Sequence, residues 1–361
     1  MHSRELRDGC LPGAASQRRD HTLEFLDCGW LAQQMSTINM IDSRYWVPKY
    51  LQFRWWLGSL DRLERSWYEM ALKYQFRELE GMPFQKLFSE IMEKCHPGDF
   101  VRVCPWGQEG DLKNDGYLKS ERKLFSVYAP ERMNESETID KIERDFYGAL
   151  PHWKEHFDCW IFVHNSIKGL PPRVTQRLLG LGKEHPELKV ISWCYEELRR
   201  KIFTMSDAEI SSLLGPAPSS QSMRAFGYAE IGIVVKGIEG HAPTDAGHIS
   251  PASADKIKLN QLSDDAETLL LAGMRKSKAV EEFLTRYHEP TLGDKIAAAF
   301  RAEYDKLRSK GFGPDEIYFG LWEFAGGQER GVPKQESAVL AVISYLFEKC
   351  DIFEKNREDE T

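Results

Sequence analysis

Apolar positions recur at helical spacing through the first patterned stretch of the chain and then give way to short apolar runs. Trp56, Leu60, Leu63 and Trp67 fall on one helical stripe within an aromatic-rich stretch from Tyr45 to Leu72. Trp46, Tyr50, Phe53, Trp55 and Tyr68 lie in the same stretch, and rings at this density are expected to pack on the next domain rather than to form a base-stacking platform. Phe84, Leu87, Phe88, Ile91 and Met92 predict an amphipathic helix. Strands are expected at Asp99–Cys104, Leu124–Ala129, Cys159–Val163 and Leu188–Cys194. The third is wholly apolar, which suits a central strand covered on both faces. Helical patterns from Ile139 to Trp153, Val174 to Leu181 and Glu196 to Phe203 alternate with them. This order predicts an α/β sandwich around a small central sheet.

Gly215-Pro-Ala-Pro-Ser-Ser-Gln-Ser222 then breaks both periods and reads as a linker. Ile231–Val235 is expected to be a short strand and residues 239–255 a loop. From Leu259 onward the pattern is helical: Leu292, Ile296, Phe300, Tyr304 and Leu307 share one face, as do Val339, Leu340, Ile343, Leu346 and Phe347. The expected plan is a poorly ordered extension (1–44), an α/β domain with its aromatic leading helix (45–218), a linker region (219–258) and a mostly α C-terminal domain that docks partners (259–361). Patterned sequence begins near Tyr45, so Met35 and Met40 are candidate starts.

Composition narrows the class. The chain is 42% hydrophobic and 29% charged over 361 residues, ordinary for a soluble globular protein. No apolar run approaches the ~18–20 residues of a membrane helix, and no basic-then-apolar leader is visible, so a cytoplasmic protein without a membrane span is expected. Cys10, Cys28, Cys95, Cys104, Cys159, Cys194 and Cys350 are scattered and never in CxxC spacing, which favours buried reduced thiols over a disulfide framework or a zinc ribbon. The net charge of −8 is uneven. Residues 219–361 carry 18 basic and 24 acidic side chains, against 26 and 27 in residues 40–218. The tail is therefore a poor surface for wrapping a polyanion, and nucleic acid would have to meet the near-neutral middle. Neither a GxGxxG nor a P-loop pattern occurs, so ATP hydrolysis is not expected of this chain, and no GxSxG suggests a serine hydrolase.

One segment carries concentrated chemistry: Pro105-Trp-Gly-Gln-Glu-Gly-Asp111-Leu-Lys113-Asn114-Asp115-Gly116-Tyr117. Its glycines permit a tight turn, and closely spaced carboxylates such as Asp111 and Asp115 can share a hard cation. At a sheet edge, Mg2+ (or Mn2+) so held would grip a scissile phosphate and an attacking water. The competing interpretation is an Asp-rich hairpin, since Asn-Asp-Gly is also a good turn sequence. An EF-hand is disfavoured because alternating ligands and a later bidentate Glu are lacking. His152, His156 and His164 form a second candidate metal set, weighed against single packed histidines.

Gly110-Asp111, Asn114-Asp115-Gly116 and Phe125-Ser126-Val127-Tyr128-Ala129-Pro130 resemble the "GD…NDGY…FQVYAP" signature of Mrr-like and CBASS-effector-like restriction nucleases of the PD-(D/E)xK type. The resemblance continues through Lys141-Ile-Glu-Arg-Asp145-Phe, His152-Trp153, Phe162-Val-His164-Asn165, Gly169-Leu-Pro-Pro172 and Leu214-Gly-Pro-Ala-Pro218, spanning about Gly81 to Pro218. The whole is similar to the nuclease subunit of Lamassu-type, ABC three-component antiphage systems, whose tails Tyr345-Leu-Phe-Glu-Lys-Cys-Asp-Ile-Phe353 also resembles. The resemblance implies a restriction-endonuclease-like domain with a small mixed sheet flanked by helices. It implies an effector endonuclease that cuts double-stranded DNA and is held inactive until an SMC-like ATPase, with a small third subunit, activates it, self-assembly accompanying activation. Asp115 would be the main metal-binding acid and Asp111 a second acid or loop organiser. The motif's Gln/Glu-x-Lys positions read Ser126-Val127-Tyr128, so the lysine is expected to have migrated to Lys141, with Lys113 as the alternative. The first helix usually offers Glu; here Gln85 stands in that place with Glu80 nearby. These departures motivate a rival assignment, a catalytically degenerate nuclease fold serving as a DNA-binding or assembly scaffold.

Overall fold

A computed structural model describes residues 60–103, 112–241, 256–287, 289, 291–326, 331–349 and 352–353. The N-terminal extension, most of the aromatic stretch, Asp111 and the tail beyond Phe353 lie outside the described residues. The described residues open with α1 (Arg62–Glu78), started by Asp61, whose carboxylate accepts from the Glu64 amide while Glu64 accepts from the Asp61 amide, a reciprocal cap. Then come α2 (Gly81–Cys95), β1 (Phe100–Arg102), β2 (Gly116–Leu118), β3 (Lys123–Tyr128), α3 (Glu135–Trp153), β4 (Cys159–His164), α4 (Pro172–Glu184), β5 (Lys189–Trp193), α5 (Tyr195–Ile202) and α6 (Asp207–Leu214). The remainder is helical: α7 (Ser220–Ala225), α8 (Tyr228–Glu239), α9 (Lys256–Leu259), α10 (Asp264–Met274), α11 (Ser277–Arg286), α12 (Leu292–Ser309), α13 (Pro314–Gly326) and α14 (Pro333–Lys349). Among the described residues no helix is long and apolar enough to cross a membrane.

The strands form one mixed sheet in the order β1-β2-β3-β4-β5. The first three pair antiparallel, and β4 and β5 join parallel to β3. The apolar run Cys159–Val163 is central, with β4 buried along its whole length between β3 and β5. Side chains alternate between faces along each strand. Phe125 and Val127 face a core shared with Phe88 and Ile91 of α2. Leu124 faces the opposite layer, with Ile142 and Phe146 of α3 and Leu178 of α4. Tight pairing in the meander depends on Gly116, where a Cβ would sit 2.4 Å from the Phe100 ring.

Two expectations are corrected. Ile231–Val235 is not a strand but part of α8, because Ile231, Val234, Val235 and Ile238 bury a helical stripe. The stretch expected as linker holds two helices, α7 and α8, the former capped by the Ser219 hydroxyl on the Ser222 amide. The leading helix packs as expected, though its partners come largely from the far end of the sequence. Trp67 is buried, edge-on to Phe319 and Trp322 of α13. The core on the α2 face of the sheet thus continues through α1 into the C-terminal helices. There α10 and α14 cross closely at Gly273, whose missing Cβ would lie 2.1 Å from Ser344 Oγ and 2.6 Å from the Leu340 carbonyl oxygen.

Candidate functional site

The carboxyl ends of β3 and β4, the start of β2 and the first turns of α2 meet at one edge of the sheet. The Gly81 amide donates to the Ala129 carbonyl (2.7 Å), which fixes the start of α2 against the end of β3. Gln85, one turn on, donates through Nε2 to Asp115 Oδ1. Asp115 is buried, and its Oδ2 accepts from the Val127 amide at 2.6 Å. Its own amide donates to the Phe125 carbonyl at 2.9 Å. The carboxylate therefore replaces the next backbone carbonyl of the ladder and ties β2 to β3 where regular pairing ends. The preceding Asn114 turns the chain by accepting from the Gly116 amide through Oδ1 (2.8 Å), while its buried Nδ2 has no hydrogen-bond partner.

On the other face, the strand positions expected to hold an acid and a lysine hold Ser126 and Tyr128. Ser126 is buried and its hydroxyl donates to Asp145 Oδ2 at 2.7 Å. Asp145, 2% exposed on α3, also pairs with the Lys141 ammonium one turn earlier on that helix. Arg144 stands 3.9 Å from its other oxygen. A buried carboxylate is tolerated only when paired and hydrogen-bonded, and Ser126 with Lys141 meets that demand. An acid and a lysine are thus present beside β3, supplied by α3. The two acids bond to consecutive residues of one strand, Asp115 to Val127 and Asp145 to Ser126.

The other candidates are distributed as follows. Lys113 is exposed, at φ 63°, with its stem against α3: a Cβ at Gly148 would lie 2.7 Å from Lys113 Cγ. Both candidate lysines thus lie along α3. Glu80 is exposed at the start of α2 and makes no capping bond. Tyr128 is half-buried against Phe162, and burial raises its phenol above the usual range. Asp111 lies outside the described residues. The three histidines do not gather: His152 and His156 are exposed near the end of α3, whereas His164 is buried at the carboxyl end of β4. Among the described residues no three His, Cys, Asp or Glu side chains are grouped to hold a metal ion. Asp145 was missed as a site residue by sequence reasoning. Its only signal was the Lys141–Asp145 spacing of one helical turn, which elsewhere marks an ordinary exposed pair.

His164 belongs to this edge as a proton-sensitive element. Its Nδ1 accepts from the Ser166 amide (3.3 Å), and burial lowers its pKa to about 4 from 6.5. The unfolded chain takes the proton first, so stability is full above pH 6.5 and is lost as pH falls towards 4. Between pH 7.5 and 5.0 the native chain should lose on the order of 2 kcal/mol more than a His164→Gln variant. Urea denaturation of both at the two pH values checks this; parallel losses would contradict it.

The comparisons with known proteins bear on the other end of the chain. Residues 229–354 match the family model of C-terminal domain 10 of the ABC-three component (ABC-3C) systems. The match runs from α8 through α14, the helices that pack around the Gly273 crossing. It supports membership of the chain in an ABC-3C system. The sheet and its edge lie outside the matched residues. No curated protein and no solved structure matches the chain.

Proposed function

We propose that the α/β part is a nuclease domain of the PD-(D/E)xK type and that the chain is the DNA-cutting effector of an antiphage ABC-3C system. The observation that carries this is the buried Ser126–Asp145–Lys141 network, which joins β3 one residue from the Val127 amide held by Asp115, on the opposite face of the sheet. It restores, from α3, the acid and the cation that β3 lacks. A mixed sheet flanked by helices and the ABC-3C match of residues 229–354 support the same assignment. In this proposal Lys141, held by Asp145, offsets charge building on a double-stranded DNA phosphate, with Lys113 and Arg144 adding cations along the same helix. Asp145 is a positioning residue for Lys141. The CTD10 region would dock an SMC-like ATPase and a small third subunit, which keep the nuclease silent until activation and then permit self-assembly.

A nuclease of this type implies Mg2+ or Mn2+. The described residues alone do not fit such a site, because both Asp115 oxygens already accept hydrogen bonds and no group of three donors surrounds them. Asp111 is the acid that the proposal needs beside Asp115. The same observation favours the second assignment, a degenerate fold in which Asp115 braces a DNA-binding or assembly scaffold. Lys141→Ala and Asp145→Asn separate the two. For a nuclease, each should lower plasmid cleavage by the partner-bound complex at least tenfold, and Lys141→Arg should recover part of the loss. Unchanged cleavage in Lys141→Ala would remove Lys141 from the site.

A further inference from the structure

A cleft of about 490 Å3 opens between the first turn of α1, α7 and the last turns of α10. Arg62, Arg224, Arg275 and Lys276 line it, and no acidic residue does. None of these four side chains has an ion-pair partner among the described residues. The nearest capping acid, Asp61, is committed to the Glu64 amide and, through Oδ2, to the Ser220 amide at 2.6 Å. Three of the four, Arg224, Arg275 and Lys276, come from residues 219–361, a segment with 18 basic and 24 acidic residues.

Helix ends explain only part of this gathering. Arg275 follows α10 and Arg224 ends α7, places where a cation complements the carbonyl end of a helix, while Lys276 stands between the end of α10 and the start of α11. Arg62 is the reverse case. It occupies the first position of α1, where the helix dipole disfavours a positive charge. Four like charges around one concavity repel each other, and an anion bound among them would relieve that. Guanidinium forks match phosphate oxygens in pairs, and Ser220 adds a hydroxyl to the lining, while the Thr268 hydroxyl is committed to the Asp264 carbonyl. The floor is apolar, built from Leu63, Met223 and Leu271, and Leu271 is 47% exposed. The size is that of a small-ligand site. A charged rim over an apolar floor suits a phosphate chain carrying a flat ring, and a cleft of this volume matches a small molecule better than the extended backbone of a duplex.

We propose that this cleft binds a nucleotide through its di- or triphosphate, against the α10 end of the CTD10 region. The test uses the full chain and a fluorescent ATP analogue, with unlabelled ATP, inorganic phosphate and a short DNA duplex as competitors. The wild type should bind the analogue, unlabelled ATP should displace it, and the Arg224→Ala/Arg275→Ala double variant should weaken binding at least tenfold. Arg62→Glu is the second variant. It places an acid where the α1 dipole favours one, so its thermal midpoint should hold or rise while nucleotide binding falls at least tenfold. No binding to the wild type at millimolar analogue, or unchanged affinity in both variants, would overturn the proposal. So would displacement by the duplex alone, which would assign the cleft to nucleic acid.

Discussion

Asp115→Asn should abolish antiphage protection while leaving the fold and the assembly intact. Asparagine keeps a carbonyl oxygen where Asp115 Oδ2 accepts from the Val127 amide. Gln85 can turn its amide so that its oxygen faces the new NH2 group. The structural cost should therefore stay near the ~1 kcal/mol of one exchanged hydrogen bond. The negative charge is lost entirely, and with it any cation or proton held at the edge. In cells carrying the whole system, plating of phage should rise at least a hundredfold over wild type, with the variant still co-purifying with its partners. Retained protection would leave Asp115 as a brace between β2 and β3 and would favour the scaffold assignment.

Gly273→Ala should have the largest effect on stability. The added methyl would meet Ser344 Oγ at 2.1 Å and the Leu340 carbonyl at 2.6 Å. A side chain can swing aside, but the Leu340 carbonyl belongs to the α14 backbone, so α10 and α14 must move apart. Both helices are buried along this seam, with Leu269, Leu270, Leu340 and Ile343 all in the same core. Overpacking of this kind costs about 1–3 kcal/mol, and a backbone partner places it at the upper end. A fall in thermal midpoint of roughly 5–10 °C follows for a domain of this size. The buried Ser344 hydroxyl has no hydrogen-bond partner, so adding Ser344→Gly to Gly273→Ala should recover part of the loss. A wild-type melting curve for Gly273→Ala would contradict the close crossing. Because the seam lies inside the CTD10 region, partner binding should weaken with it.

The sheet was legible wherever an apolar run exceeded about four residues. Cys159–Val163 announced a central strand because both its faces are covered. β2 escaped because three residues, Gly116–Leu118, give no run to see. The Ile231–Val235 error has a different cause: β-branched residues in sequence look like a strand, whereas their burial follows the three-and-four spacing of a helix. Turn chemistry singled out Asp115 and the resemblance singled out Lys141, and the structure places both beside β3. Asp145 was not legible, since only folding shows that this carboxylate is 2% exposed and bonded to Ser126. The basic cleft was least legible of all: Arg62, Arg224 and Arg275 are far apart in sequence and meet only because α1 packs among the C-terminal helices.

The most direct measurement is made with the purified chain, alone and with its partner subunits, on supercoiled plasmid with Mg2+ or with EDTA. The expected result is nicked and linear DNA from the partner-bound wild type in Mg2+, intact plasmid in EDTA, and intact plasmid with Asp115→Asn. Plasmid that stays supercoiled under every condition, or cleavage that Asp115→Asn preserves, would contradict a nuclease centred on this edge.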